Sequence, residues 1–224
     1  MFCIPIIAKD TDEALGKIER ANHIADMVEI RLDTMDTFDL KELIQAVQRP
    51  VLVTYRSLQE GGVGTASCES RVRHIVAALE QGADLVDVEL NLPLNWRKKI
   101  FDVRSDSGIV ISTHIQQGTP LQPELEGILR RSLATGADII KIVTRAQVWE
   151  DNFRVLRLIS KAREQGREIV AFCMGPAGRV SRIFSHLMGG YLTFASLEKG
   201  EESADGQMPA REMKEILELV KPCP

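Results

Sequence analysis

The sequence LRRSLATGADIIKIVT, residues 129–144, contains one complete unit of the predicted fold. A helical pattern comes first, Gly136 can end the helix, and an isoleucine-rich run then predicts a buried strand. The segment SRVRHIVAALEQGADLVDVEL, residues 70–90, repeats this order and passes from helix to strand through the same Gly-Ala-Asp. The two segments therefore indicate a chain that alternates helices with strands.

Eight runs in the chain have the β-branched, apolar composition of buried strands. They span residues 2–8, 27–33, 50–56, 85–90, 108–114, 138–144, 168–174 and 191–196. Amphipathic helical patterns separate them, and PAREMKEILELVKP at 209–222 predicts a final helix. This alternation favours an α/β fold of the (β/α)8 TIM barrel type, as a single domain over residues 1–224. The alternative is a doubly wound open sheet, but IIAKDTDEA at 6–14 contains no G-x-G-x-x-G turn after the first strand.

Composition argues against several classes of protein. The net charge of −4, from 28 basic and 32 acidic residues, is weak evidence against a nucleic-acid partner. No apolar run has the length needed to span a bilayer, and no signal-peptide pattern is present, so no membrane partner is expected. The cysteines, Cys3, Cys68, Cys173 and Cys223, form no C-x-x-C pair and no disulfide-like framework. This pattern favours a reducing, cytoplasmic location.

Polar residues alternate with apolar ones near the carboxyl ends of five successive predicted strands. They are Glu29 and Arg31, Thr54 and Arg56, Asp87 and Glu89, Ser112 and His114, and Lys141. Residues two apart point to the same side of a strand, and barrel active sites lie at the carboxyl ends of the strands. Taken singly, each has an ordinary explanation: a solvated rim arginine, a satisfied histidine, or acids that neutralise neighbouring bases. Their joint occurrence on successive strands favours a functional site.

Lys141 is the hardest of these residues to explain by structure alone. It is flanked by Ile139, Ile140, Ile142 and Val143. A lysine is costly to bury without a partner, whereas desolvation and nearby cations lower a lysine pKa and release a nucleophilic amine. Such an amine forms a Schiff base with a ketone, and His114 on the neighbouring strand is placed to move the adjacent proton as general base and acid. Arg31 and Arg56 match a substrate carboxylate.

Six motifs along the chain resemble those of the type I 3-dehydroquinate dehydratases, a family of the shikimate pathway that forms a Schiff base. The resemblance covers essentially the whole chain. It rests on EIRLD at 29–33, TYRSLQEGG at 54–62, VDVEL at 86–90, STH at 112–114, DIIKI at 138–142 and SRIFSHLMGGYLTFASLEKGEESADGQMP at 181–209. Each motif alone is weak, but six of them in sequence order at strand ends are highly specific.

The resemblance implies a cytoplasmic hydro-lyase that converts 3-dehydroquinate to 3-dehydroshikimate without a metal or an organic cofactor. Lys141 would form the Schiff base, His114 would be the general acid and base, and Glu60 would orient His114. The positions implied for substrate binding are Glu29, Arg31, Arg56, Arg182, Ser203 and Gln207, with Met174 and Phe194 as an apolar wall. Ser203 and Gln207 belong to a polar loop at 197–208, which we expect to be open or disordered without ligand.

The chain departs from the family pattern at three places. Ile115 and Gln116 follow the histidine where Asp and Phe are common, Asp205 stands where many members have proline, and Ile140 precedes the lysine where proline is frequent. We expect altered packing beside His114 and altered stiffness of the 197–208 loop. Family members are often dimers, and some are fused to a shikimate dehydrogenase domain. The resemblance therefore leaves open both a homodimer and an origin in such a fusion.

Two other functions are compatible with the same residues. A class I aldolase also uses a barrel lysine, and MGPAGRVSR at 174–182 has glycines suited to a phosphate site. A non-catalytic sensor of quinate-like acids could use the same scaffold. The presence of Lys141, His114 and Glu60 favours catalysis over a sensor, and Arg182 with the Ser-Ala-Asp-Gly-Gln loop suits a carboxylate better than a phosphate.

Overall fold

A computed structural model describes residues 1–220 of the chain. The strands in this range are β1 Phe2–Ile6, β2 Met27–Arg31, β3 Val51–Thr54, β4 Leu85–Glu89, β5 Gly108–Ile115, β6 Ile139–Arg145, β7 Glu168–Met174 and β8 Thr193–Phe194. The α-helices are α1 Thr11–Ile24, α2 Leu40–Ala46, α3 Cys68–Glu80, α4 Leu94–Val103, α5 Gln122–Leu133, α6 Glu150–Arg163, α7 Arg179–Leu187 and α8 Ala210–Val220. Cys223 and the predicted end of the last helix lie outside the described residues.

The strands form one parallel sheet in the order β7-β6-β5-β4-β3-β2-β1-β8. The two ends of this sheet approach each other, because the backbone N–H of Tyr191, just before β8, donates to the carbonyl of Ile169 in β7 at 2.8 Å. The sheet is therefore a nearly closed barrel with the helices outside. The predicted (β/α)8 barrel is confirmed. Within residues 1–220, no helix is long and apolar enough to cross a membrane.

Several strands end earlier than the sequence predicts. The predicted second strand ran to residue 33, but β2 ends at Arg31 and the 3₁₀ helix Leu32–Thr34 follows it. Side chains cause this turn: Arg31 forms an ion pair with Asp33 at 2.8 Å, and the Thr34 hydroxyl donates to the Arg31 carbonyl at 2.9 Å. The same effect shortens the third strand, where the 3₁₀ helix Leu58–Glu60 follows β3 closely.

The barrel interior is apolar at one end and polar at the other. Inward side chains near the amino ends of the strands form one buried cluster, which includes Met27, Leu52, Leu85, Val110 and Ile139. Two residues further along the same strands come Glu29, Thr54, Asp87, Ser112 and Lys141, all buried. A larger apolar cluster lies between the sheet and the helices. The predicted alternation of polar residues is therefore confirmed as one internal layer.

The two Gly-Ala-Asp segments end helices as predicted. Gly82 and Gly136 follow α3 and α5 with φ of +85° and +76°, a conformation that favours glycine. The aspartates then close the amino end of the barrel. Asp84 accepts a hydrogen bond from a backbone N–H at the start of β3 at 2.7 Å, and Asp138 does the same for β5 at 2.8 Å. Each segment therefore both ends a helix and ties the next strand to its neighbour.

Candidate active site

The carboxyl ends of the strands surround a cavity of about 280 Å³. All nine side chains that the sequence assigned to catalysis or substrate binding line it, together with the predicted wall residues Met174 and Phe194. The walls also contain residues that we did not predict: Gly61, Gln116, Val143, Arg145, Phe172, Ala204 and Asp205. The cavity therefore collects residues from β2 to β8 at the end of the barrel where the polar layer lies.

Lys141 is buried at the base of the cavity, with 5% of its surface exposed. Its Nζ donates to Asp87 at 3.2 Å and lies 3.6 Å from Glu29. The same atom lies 4.3 Å from the centroid of the Phe194 ring. The charged groups in direct contact with the amine are carboxylates, and Arg56 donates to the same Asp87 oxygen at 2.7 Å. Because both carboxylates are themselves buried, the amine is held in one position.

Asp87 is the centre of the charge network below the cavity. Arg56 donates to it at 2.7 Å, and the Ser112 hydroxyl donates to it at 2.5 Å. Burial alone would raise the pKa of Asp87, but Arg56 and Lys141 together hold that pKa well below its usual range. The carboxylate is therefore ionised in the folded protein, and it contacts both cations.

Two of the arginines predicted to bind a carboxylate are engaged by the protein itself. Arg31 donates through Nε and Nη2 to both oxygens of Asp33, each at 2.8 Å. Arg56 donates to Asp87, to Ser112 at 2.9 Å and to Glu89 at 3.3 Å. These contacts are mostly to carboxylates, so Arg31 and Arg56 organise acidic side chains around the cavity.

Arg182 has a different environment. It is 1% exposed, its guanidinium carbon lies 4.5 Å from the centroid of Phe172, and its Nη2 donates to the backbone carbonyl of Asp205 at 3.3 Å. Among residues 1–220, no carboxylate forms an ion pair with it, and its Nε has no hydrogen-bond partner. Burial lowers the pKa of Arg182 to about 10. A buried, uncompensated guanidinium in a cavity wall is suited to bind an anion.

His114 and Glu60 form a pair on another wall, in which Glu60 is buried and His114 is partly exposed. Oε2 of Glu60 lies 3.1 Å from His114 Nδ1 and accepts the His114 backbone N–H at 2.9 Å. Burial, with Arg56 and Lys141 nearby, lowers the pKa of His114 well below its usual value, so the imidazole is neutral near pH 7. Burial also raises the pKa of Glu60 to about 8. With Nδ1 directed at Glu60, Nε2 is the ring nitrogen left to exchange a proton with a ligand.

Comparison with known proteins agrees with this geometry. The family model described as type I 3-dehydroquinase matches residues 2–222 of the chain. The chain belongs to the type I 3-dehydroquinase family. The family assignment supports a hydro-lyase over the class I aldolase and the non-catalytic sensor.

Relatives and solved structures cover almost the whole of this type I 3-dehydroquinase. The 3-dehydroquinate dehydratase of Methanococcus maripaludis strain C5 is 34% identical over 223 residues, which are 99% of this chain and 100% of that protein. The bifunctional 3-dehydroquinate dehydratase/shikimate dehydrogenase of Arabidopsis thaliana is 36% identical over 98% of this chain and 36% of that protein. The crystal structure of the Clostridium difficile type I 3-dehydroquinate dehydratase with covalent modified comenic acid has a TM-score of 0.88. The two sequences are 26% identical, and the match covers 98% of this chain and 91% of the Clostridium difficile chain.

In this member of the family, the 197–208 loop lies over the cavity. Gln207 is buried, and its side chain bonds to Ser203 at 2.8 Å through both ends of the amide. Asp205 forms an ion pair with Arg145 at 2.9 Å, and its carbonyl accepts the Gly175 backbone N–H at 3.1 Å. The aspartate that replaces the family's common proline therefore supplies a charge that Arg145 binds, a contact that the sequence did not predict. That the loop is open or disordered without ligand stays a prediction.

Some site residues of this 3-dehydroquinase were missed by sequence reasoning. Arg145 follows Lys141 and Val143 at the same parity on β6, so the alternation that we applied to the other strands could have found it. Phe172 precedes Met174 by two residues on β7 in the same way. Gln116 was noted only as a departure, yet its Nε2 donates to the backbone carbonyl of Glu60 at 3.1 Å.

Proposed function

We propose that this protein dehydrates 3-dehydroquinate to 3-dehydroshikimate through a Schiff base on Lys141. The observation that carries the proposal is the position of the Lys141 amine. It is buried between Asp87 and Glu29, at 3.2 and 3.6 Å, in the same cavity as the His114–Glu60 pair. A fixed amine and a neutral imidazole are the two groups that imine-assisted elimination of water requires.

Binding begins with the carboxylate of the substrate. Arg182 is the cation of the cavity that has no carboxylate partner within the described residues, so it is the group that gains most from an incoming anion. Once the carboxylate is bound there, the ketone of the substrate is directed toward Lys141 at the base of the same cavity. Arg182 thereby supplies orientation as well as affinity.

The covalent step forms a carbon–nitrogen double bond. The Lys141 ammonium first gives up a proton, and the free amine attacks the ketone carbon. In all, two protons pass from the nitrogen to the former ketone oxygen, and that oxygen leaves as water. The resulting iminium carries a positive charge at the nitrogen that previously carried the ammonium charge. Asp87 and Glu29 therefore compensate the iminium without moving, which is electrostatic stabilisation in a site that is already organised.

Proton transfer follows at the carbon beside the iminium. His114 removes a proton from that carbon, and the electron pair of the broken C–H bond moves toward the iminium nitrogen. The enamine then expels the hydroxyl group from the next carbon, and the imidazolium of His114 protonates it so that it leaves as water. Ionised Glu60, in contact with Nδ1, stabilises the imidazolium while it exists. Hydrolysis of the iminium finally releases the product and restores Lys141.

The 197–208 loop protects the intermediate. Ser203 and Gln207 line the cavity from this side, and a closed loop keeps bulk water from the iminium until the elimination is complete.

We place this reaction in the cytoplasm, which the free thiols of Cys3, Cys68 and Cys173 support. Assembly as a homodimer stays a prediction, which light scattering of the purified protein would test.

Turnover of 3-dehydroquinate tests the proposal. The purified protein should produce the enone absorbance of 3-dehydroshikimate, and Lys141→Met should lose nearly all turnover because methionine has no amine. Methionine fills a similar volume, so the variant should remain folded, and circular dichroism checks this. A folded Lys141→Met variant that turns over at the rate of the wild type would exclude the covalent route.

A further inference from the structure

Gln116 makes a contact that the proposed reaction has not used. It lies two residues after His114, just beyond the end of β5, and lines the active-site cavity. Its Nε2 donates to the backbone carbonyl of Glu60 at 3.1 Å. Because a carbonyl oxygen can only accept a hydrogen bond, this contact also determines which end of the amide faces Glu60. Gln116 is therefore bonded directly to the residue that contacts the catalytic histidine.

The turn that carries Glu60 is short and tightly packed. Residues 58–60 form a single 3₁₀ turn, in which the Glu60 backbone N–H donates to the Ser57 carbonyl at 3.1 Å. Gly61 then leaves the turn with φ of +84°. A Cβ at Gly61 would collide with the Gln116 amide nitrogen. The side chain of Gln116 therefore lies flat against the end of the turn, and glycine at 61 makes this approach possible.

Glu60 is joined to the end of β5 at two points. Its carboxylate accepts the backbone N–H of His114 at 2.9 Å and contacts Nδ1 at 3.1 Å, while its carbonyl accepts the Gln116 amide. The first attachment orients the side chain, and the second fixes the backbone from which that side chain extends. We propose that Gln116 is a positioning residue, which holds Glu60 against His114 while the imidazole gains and loses its proton. This inference rests on the proposed function.

A change at Gln116 leaves the charges around the pair unaltered. The charged side chains that act on Glu60 or His114 come from β2, β3 and its following turn, β4 and β6: Arg31, Arg56, Asp87, Glu89 and Lys141. None of them bonds to the Gln116 side chain within the described part of the chain. A shift in the titration of the pair after a neutral substitution at Gln116 therefore reports the geometry of the pair.

Gln116→Met tests the inference, because methionine keeps the length of the side chain and removes its donor. We expect kcat for 3-dehydroquinate to fall about 5- to 50-fold, as a misplaced catalytic group would cause, with KM within about twofold of wild type. The limb of the kcat/KM profile that reports the pair should move to higher pH by about half a unit or more, since a loosened Glu60 loses hydrogen bonds to its ionised form.

Gln117→Met is the matched control, since Gln117 is the next residue and its side chain is exposed. It should behave like wild type in kcat, KM and pH profile. A Gln116→Met variant with a lower Tm but unchanged kcat and pH profile has lost only packing, which would overturn the inference. Equal effects of the two substitutions would overturn it as well.

One readout separates this inference from the proposed function. If the wild-type protein has no dehydratase activity, the proposed function fails, whatever Gln116 does. The nitrogen-15 shift of His114 Nδ1 can still be measured in the unliganded protein. A change of that shift in Gln116→Met, absent in Gln117→Met, is the expected result, and an unchanged shift would contradict the positioning role.

Discussion

Two buried cations in one cavity have opposite surroundings, and this difference assigns their roles. Lys141 contacts two carboxylates, so its charge is compensated before any substrate arrives. Arg182 contacts an aromatic ring and one backbone carbonyl, and no acid among the described residues forms an ion pair with it. A compensated amine is suited to become an iminium of the same charge. An uncompensated guanidinium is suited to bind a carboxylate.

Removing the charge of Arg182 should weaken binding more than it slows the reaction. For Arg182→Met we expect KM to rise about 10- to 100-fold, because a charged hydrogen bond to the substrate carboxylate is lost. The change in kcat should be smaller. Because an unpaired buried charge is costly, the free energy of unfolding should stay the same or rise by about 1 kcal/mol. Steady-state kinetics and urea unfolding measure the two effects.

Arg211→Met provides the control for this substitution. The Arg211 side chain is 91% exposed, and it pairs with Glu215 on the outer surface of α8 at 3.2 Å. The same chemical change there should alter neither KM nor, beyond about 0.5 kcal/mol, the free energy of unfolding. An Arg182→Met variant with normal KM would show that the carboxylate binds elsewhere.

The raised pKa of Glu60 predicts the pH dependence of activity. His114 acts as a base through Nε2 when Glu60 is ionised and accepts the Nδ1 proton, so kcat/KM should rise with pH and level off above about 8. A glutamine at position 60 cannot ionise, so Glu60→Gln should lose the rise of kcat/KM with pH and should also have a lower kcat. A wild-type profile that is flat between about pH 6 and 9 would contradict the pairing.

The same shift predicts how stability changes with pH. The folded pKa of Glu60, about 8, is above its ordinary value of 4.5, so its protonated form stabilises the fold fully below 4.5. This contribution is lost as the pH rises from 4.5 through about 8. In the wild-type protein, the free energy of unfolding should therefore fall by about 1–3 kcal/mol over that range because of Glu60. In Glu60→Gln this fall should be absent. Denaturant unfolding at several pH values measures it.

At the scale of elements, the turns between helices and strands were predictable because glycine has a specific conformational use there. Gly136 ends α5 with φ of +76°, and nothing lies within 4 Å of the position of its missing Cβ. Replacing Gly136 by another residue therefore costs free energy only through the backbone conformation, and not through a steric clash. Gly16, inside α1, also has free space around it but lies within a helix.

These two glycines should respond to alanine in opposite directions. Gly136→Ala forces alanine into the left-handed region and should destabilise the protein by about 1–2 kcal/mol. Gly16→Ala adds a strong helix former at an exposed helical position and should stabilise it by about 0.5–1 kcal/mol. Thermal unfolding of the two variants measures the contrast. Destabilisation by both substitutions would mean that the assigned end of α5 or the span of α1 is wrong.

The ends of the strands were less predictable than their existence. Apolar and β-branched composition located all eight strands, but it could not show where side chains divert the backbone. Asp33 binds Arg31 and turns the backbone into a 3₁₀ helix after β2. The two residues are close in sequence, but the hydrophobic pattern of the sequence does not reveal their contact. The 197–208 loop was polar and contained glycine, so mobility was expected. The ion pair between Asp205 and Arg145 joins residues 60 apart in sequence, which periodicity cannot reveal.

At the scale of the whole molecule, the barrel brings one polar residue from each of several distant segments to the same layer. Parity along each strand was enough to predict that Glu29, Arg56, His114 and Lys141 face one cavity. Parity could not show which charges neutralise one another. Arg56 was predicted to bind substrate, yet its donors go to Asp87, Glu89 and Ser112, because those side chains meet it from neighbouring strands. Pairing of charges depends on three-dimensional distance.

The central claim is that Lys141 forms a covalent bond to the substrate, and reduction of the imine tests it most directly. The wild-type protein is incubated with 3-dehydroquinate and sodium borohydride, digested, and analysed by peptide mass spectrometry. We predict a reduced adduct on the peptide that contains Lys141, and no adduct in Lys141→Met. An active wild-type enzyme that gives no adduct, or an adduct on another lysine, would contradict the account.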